Sequence, residues 1–146
     1  MINALQIRKA NFSDVEGIYN LYNSLSPDDL YMRFFSFKRL SEQDIVNLTK
    51  SSKVTLIAVI DSEIVGEISL YDDDGEFSLV VKPEHRRKGI GTLLVKSIIE
   101  EAKKLGMTKV KFYTLPDNIP MIKIGKKLGF TLRFSSDEVF GILSLQ

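Results

Sequence analysis

The chain has no cysteine and no tryptophan, and its 146 residues include one histidine, His85, and four prolines. Without cysteine there is no disulfide framework, no thiolate nucleophile and no cysteine-ligated metal. A single histidine also excludes a histidine-rich metal centre, so no metal is expected. An excess of either charge is lacking too: 20 basic and 19 acidic residues leave a formal net charge of +1. Such a chain has little counterion-release drive toward nucleic acid, so any basic function must be local. No apolar run approaches the ~20 residues that a membrane-spanning helix needs. The N-terminal "MINALQIRKANFSD" lacks the long apolar core of a secretory signal. The expectation is a cytoplasmic protein with neither a membrane nor a direct nucleic-acid partner.

What is present is an ordinary globular balance, 44% hydrophobic and 27% charged, with enough length for one core. No repeat, low-complexity tract or Pro/Gly-rich linker divides the chain, so residues 1–146 read as a single domain. "ALQIRKA" reads as a first strand. Ser13 and Asp14 offer an N-cap for a helix to about Leu25. "SPDDLYMRFF" reads as a second helix capped by Ser26, and "SEQDIVNLTK" as a third with Ser41 and Asp44 close to a capping box. The period then changes. "KVTLIAVID" and "EIVGEISLYDDD" form a hairpin, and "EFSLVV" follows another turn. From Gly91 a helix shows one face of Leu93, Leu94, Ile98, Ile99, Ala102 and Leu105. "KVKFYTL", the helix "NIPMIKIGKKLG", "FTLRFS" and "EVFGILSL" complete the chain. The pattern predicts an α/β (α+β) domain on one mixed sheet.

"VVKPEHRRKGIGTLLV" sets Arg86, Arg87 and Lys88 just ahead of Gly89 and Gly91, where a helix starts. A helix N-terminus is already electropositive, and cations there are disfavoured. Its unpaired N–H groups, together with glycines that let a ligand approach the backbone, make an anion cradle suited to phosphate. The cations then make sense if an anion occupies the site; alone, such a run is as often a solvated surface. The P-loop pattern is absent, and the dinucleotide fingerprint fails because its third glycine falls at Leu94.

Val81, Pro83, Arg86, Arg87, Gly89, Ile90, Gly91, Leu93 and Leu94, followed at family spacing by Asn118, Met121, Lys127, Gly129 and Phe130, resemble the GNAT superfamily of N-acetyltransferases. The resemblance covers nearly the whole chain. It implies a GNAT-like domain whose central sheet has splayed middle strands, and acetyl-CoA as co-substrate. By that resemblance the pyrophosphate lies on the segment Arg86, Arg87, Lys88, Gly89, Ile90, Gly91 and Thr92. The pantetheine arm pairs with the strand Leu79, Val80 and Val81 through the amides of Leu79 and Val81, and Asn118 steadies the arm or the leaving sulfur. The side chains of that strand are core.

A lysine amine with a pKa of about 10.4 loses roughly 4–5 kcal/mol to deprotonation at neutral pH, so a positioned base helps. Glu76 heads the mostly apolar strand "FSLVV", a setting that raises a carboxylate pKa, and matches the strand that carries the family's catalytic glutamate. The family's tyrosine acid position is occupied by Gly125, which leaves the acid unassigned; Tyr22, Tyr31, Tyr71 and Tyr113 stand elsewhere. His85 is expected to be exposed and outside the chemistry.

"LSPDDLYMRFFSFKRLSEQDI" resembles the Pat branch of that superfamily, the protein lysine acetyltransferases, through Leu25, Ser26, Tyr31, Arg33, Phe34, Phe35, Leu40 and Ser41, with Glu76 and Met121. Without an acyl-CoA synthetase domain, the chain resembles a stand-alone, archaeal-type member. The resemblance implies a protein lysine as acceptor, with the DNA-binding protein Alba and acyl-CoA synthetases as candidates, and Tyr31, Glu42 and Tyr71 near the acceptor. A small-molecule amine, or a non-catalytic acyl-CoA sensor, is the alternative reading.

Overall fold

The computed structural model describes residues 4–34 and 39–146, with residues 32–34 described by backbone alone. Phe35 and the side chains of Arg33 and Phe34, which carry part of the resemblance above, lie outside that description. The elements in chain order are β1 Leu5–Lys9, α1 Val15–Asn23, α2 Pro27–Phe34, α3 Glu42–Ser51, β2 Val54–Ile60, β3 Glu63–Leu70, β4 Phe77–Val81, α4 Ile90–Lys104, β5 Lys109–Thr114, α5 Ile119–Lys127, β6 Thr131–Phe134 and β7 Val139–Ser144.

Local chemistry sets the helix starts. At α3 the Ser41 hydroxyl accepts the Asp44 N–H and the Asp44 carboxylate accepts the Ser41 N–H, the box the spacing predicts. Ser26 and Asp29 make the same reciprocal pair ahead of α2. The first helix departs from expectation. Asn11, not Ser13 or Asp14, supplies the side-chain cap, on a 3-10 turn at Phe12–Asp14. Asp14 does not cap α1, because its carboxylate accepts both nitrogens of Arg8 at 2.8 Å and the Asn11 N–H at 2.8 Å.

The strands form two antiparallel ladders, β1-β2-β3-β4 and β5-β7-β6. They meet at one parallel bridge, Glu76 with Lys111, where the Lys111 N–H donates to the Gly75 carbonyl at 2.9 Å. The expected mixed sheet is therefore present and forks between β4 and β5. Gly75 makes the approach possible: its φ is +83°, and a Cβ there would stand 2.1 Å from the Lys109 carbonyl oxygen.

Helices cover both faces. On one, α4 buries Ile90, Leu94, Val95, Ile98, Ile99 and Ala102 against Val65, Ile68 and Leu70 of β3, each large aliphatic side chain worth roughly 1.5–3 kcal/mol. Leu93 and Leu105, expected on that face, are exposed, since the helical stripe passes through Ile90 and Val95 instead. On the other face α1, α2 and α3 bury Ile18, Leu21, Tyr22, Leu25, Leu30 and Ile45 over Ile57, Ile64 and Val80. Phe77, Phe112 and Phe130 floor the fork on the α4 side, with ring centroids 5.3 to 6.0 Å apart.

Candidate active site

The fork opens into a cleft of about 940 Å³, walled by β4, β5, the start of α4 and the start of α5. Strand alternation decides what β4 offers it. Glu76 gives its carbonyl to the Tyr71 N–H, and the Lys82 N–H donates to Val65, so the even-numbered residues bond to β3. The N–H and C=O groups of Leu79 and Val81 therefore turn away from β3, into the fork. Their side chains belong to the α4-side core, while Val80 packs under α1–α3. All three line the cleft.

At the far end of β4 a 3-10 turn at Pro83–His85 leads through Arg87 (φ 64°) and Gly89 (φ 83°) into α4. Both residues adopt left-handed backbone, at a cost for arginine and none for glycine. The Leu93 N–H to Gly89 carbonyl bond, 3.1 Å, opens the helical ladder, so the N–H groups of Ile90, Gly91 and Thr92 precede it. A Cβ at Gly91 would stand 3.0 Å from Ile124 Cδ1 and 3.4 Å from Leu79 Cδ2, so any side chain there fills the cleft. The Arg86 N–H, by contrast, is taken by the Pro83 carbonyl.

The cations divide by partner. Arg86 Nε donates to the Val81 carbonyl at 3.1 Å, and its Nη2 stands 3.1 Å from Asp29 Oδ1 of α2. Lys82 is held by Glu63 and lies 3.5 Å from Glu84; chiefly the Glu63 bond raises its pKa. Arg87 lines the cleft, as do Gly89, Ile90, Gly91, Thr92 and Lys123. Lys88 is exposed and is not among the lining residues. Asn118 lines the cleft with its side chain already engaged: its carbonyl accepts the Met121 N–H at 3.3 Å and its amide donates to Thr114 Oγ1 at 2.9 Å.

Glu76 sits at the vertex of the fork, half-buried. By alternation it shares the α1–α3 face of the sheet with Ser78 and Val80, opposite the phenylalanine floor. It does not line the cleft itself, and neither do Tyr31, Glu42 or Tyr71. Glu42 is exposed in the first turn of α3, and the Tyr71 N–H donates to the Glu76 carbonyl at 2.8 Å. His85 departs from its expected exposure: its side chain is four-fifths buried in the cleft wall, with Nε2 3.9 Å from Glu63.

A second carboxylate, missed in the sequence, lies at the centre of β3. Glu67 is fully buried; the Tyr22 hydroxyl donates to Oε1 and Ser69 Oγ to Oε2 at 2.6 Å. Ser69 in turn is 3.1 Å from Thr55 Oγ1. The chain of groups ties α1 to β2 and β3, directly across the ladder from Val80. A charged residue inside the apolar run "EIVGEISL" was its signal. Among the described residues no cluster of His, Cys, Asp and Glu is arranged to hold a metal, and no helix is long and apolar enough to cross a membrane.

A forked sheet whose free strand edge leads to an unladdered, glycine-opened helix start is a site for a ligand that pairs like a strand and ends in phosphate. Residues 16–130 match the model described as the Acetyltransferase (GNAT) family. The chain belongs to the GNAT family. GNAT acetyltransferases use acetyl-CoA, and the edge amides, the glycine cradle and Arg87 fit such a ligand. An amino-acid acetyltransferase of Shewanella oneidensis is 31% identical over 113 residues, covering 74% of this chain and 23% of that protein. An N-alpha-acetyltransferase of Sulfurisphaera tokodaii is 27% identical over 141 residues, covering 86% of this chain and 79% of that one. The chain thus spans about a quarter of the first of these GNAT relatives and most of the second. In fold it is similar to the GNAT domain of S. lividans PAT, at a TM-score of 0.86 and 23% identity, covering 98% of this chain and 96% of that one. It is equally similar to yncA of Salmonella typhimurium, solved with its cofactor acetyl-CoA, at 0.86 and 23%, covering 99% and 95%.

Proposed function

We propose that the chain transfers the acetyl group of acetyl-CoA to a lysine ε-amine of a protein, within a ternary complex and without an acyl-enzyme. The observation that carries the transfer is the fork. Leu79 and Val81 offer strand-edge amides to the pantetheine arm, and the amides before Leu93, with Arg87, take the pyrophosphate. The five residues of β4 span about 16 Å at ~3.3 Å each, which separates the phosphate end from the vertex. Acetyl-CoA supplies a thioester, an acyl group on a good leaving atom. Glu76, on the α1–α3 face at the vertex, serves as the base that accepts the amine proton, directly or through water. The absence of cysteine removes the strongest nucleophile for a two-step route.

The lysine acceptor rests on the "LSPDDLYMRFF" stretch and on the likeness in fold to a PAT domain. Alba and acyl-CoA synthetases are the proposed protein partners, and Tyr31, Glu42 and Tyr71 the proposed acceptor contacts. A second reading, acetylation of a protein α-amine, is favoured by the relative in Sulfurisphaera tokodaii, which matches over most of both chains. Labelled acetyl-CoA, the purified chain and a protein extract of the source cells, followed by mass spectrometry of labelled positions, test both. Label on lysine side chains is expected. Label on N-terminal residues supports the second reading, and label only in small molecules defeats both.

A further inference from the structure

Breaking the thioester leaves an electron pair on sulfur, and the product thiol requires a proton there. No phenol on α5 supplies it. Gly125 is buried, and a Cβ at that position would meet Phe112 Cζ at 3.1 Å and Leu132 Cδ2 at 3.2 Å, so the helix carries no phenol into the cleft. Besides Tyr113, the cleft is lined by the alcohols Ser78, Thr92 and Thr114, by His85 and Asn118, by the cations Arg86, Arg87 and Lys123, and by the carboxyls Asp29 and Asp117. The alcohols are far weaker acids than a phenol. His85, Arg86, Arg87 and Thr92 belong to the phosphate end, Asp29 is paired with Arg86, and Lys123, Asp117 and Asn118 belong to α5 and the loop ahead of it. Thr114 accepts the amide of Asn118 and is buried.

Tyr113 remains, and its position suits the task. It lies on β5 two residues beyond Lys111, the residue that bridges Glu76 at the vertex. Val110 and Phe112 point into the α4-side core, so Lys111 and Tyr113 share the opposite face, the one that holds Glu76. Glu76 and Tyr113 are therefore diagonal neighbours across the fork, on one side of it. The Tyr113 ring packs on Phe140 of β7 with centroids 5.0 Å apart, which fixes its direction, while its hydroxyl makes no hydrogen bond to any described residue. Charged groups facing it by register are Glu76 and Lys111 at the vertex and Arg133, which pairs with Phe140, while Asp117 and Lys123 line the same cleft.

We propose that Tyr113 is a catalytic residue of the acetyl-donor half-site, a phenol that hydrogen-bonds the departing sulfur and protonates it. As the amine nitrogen forms its bond to the acetyl carbon and the C–S bond breaks, the electron pair passes to sulfur. The Tyr113 O–H proton follows it, and the phenolate recovers a proton from water. The nitrogen loses its own proton to the base. The inference rests on acetyl-CoA as donor and is indifferent to which amine accepts.

A test independent of the acceptor reads the bound product. Coenzyme A isotope-labelled at the methylene beside sulfur is titrated by NMR in complex with the wild-type chain and with Tyr113→Phe, which keeps the ring on Phe140. A hydroxyl donor favours the thiolate, so the bound thiol is expected to be about tenfold less acidic in the variant, at equal coenzyme A affinity. Identical titrations overturn the proposal. So does a loss of affinity in Tyr113→Phe, which would make the residue a binding element. If Tyr113→Leu changes the titration and Tyr113→Phe does not, the ring alone matters and the proposal is again overturned. A failure to find labelled lysine, by contrast, leaves this titration unaffected.

Discussion

Arg86 and Asp29 join the loop ahead of α4 to α2: the guanidinium reaches Asp29 at 3.1 Å while its Nε holds the Val81 carbonyl at 3.1 Å. One side chain thus ties the end of β4 to a helix on the other side of the cleft. The apparent cluster of three cations is divided: Arg86 and Arg87 both line the cleft, but Arg86 is engaged by Val81 and Asp29.

Arg87 and Asp29 should consequently behave differently. Arg87→Ala is expected to weaken coenzyme A binding about tenfold, the ~1.4 kcal/mol of one screened phosphate contact, with the melting temperature unchanged. Asp29→Asn is expected to lower the melting temperature while altering affinity less than about threefold. Calorimetric titration at two salt concentrations checks this, since only the Arg87 contribution fades as salt rises.

Glu76→Gln removes the proposed base with little change in shape. Activity at neutral pH is expected to fall by about 100-fold or more, with coenzyme A affinity intact, and to recover partly at alkaline pH, where the amine is already neutral. Wild-type turnover in this variant would remove Glu76 from the role.

Two glycines with the same φ of 83° separate strain from crowding. At Gly89 nothing lies within 4 Å of an added Cβ, so Gly89→Ala should cost about 1 kcal/mol in urea unfolding. At Gly75 the Cβ meets the Lys109 carbonyl at 2.1 Å, so Gly75→Ala should cost roughly 2–3 kcal/mol and expose the Lys111 amide to hydrogen exchange.

The Arg8–Asp14 pair makes stability depend on pH. The Arg8 hydrogen bonds, opposed by burial, hold the Asp14 carboxyl below its usual range. A lowered folded-state pKa stabilises above the unfolded value of about 3.9 and ceases to do so as pH falls through the folded value. With Arg8 partly exposed, the contribution is discounted to about 1 kcal/mol. The gap in urea midpoint between wild type and Asp14→Asn should be present at pH 6 and close under strongly acid conditions.

Periodicity made the helices and strands legible, and "PEHRRKGIG" marked the glycine-opened start of α4 at the cleft because glycines and unladdered amides are local features. What was not legible depends on register. Glu76 and Glu67 each interrupt an apolar run, yet one heads a fork and the other is sealed beneath Tyr22, and only strand pairing separates them. The Asp29–Arg86 contact joins residues 57 positions apart, so no spacing rule anticipates it. Tyr113 was visible as a residue, but its place on the face shared with Glu76 follows from the parallel bridge at Lys111.

Among the described residues that bridge leaves the two ladders connected along their common edge at a single rung. An extended ligand with amides of its own, seated between them, takes the place of an absent strand and carries hydrogen bonding from β1 through to β6. Mechanical continuity of the sheet is then supplied by the substrate, so the two halves should resist unfolding as one body when it is bound and yield more independently when it is not.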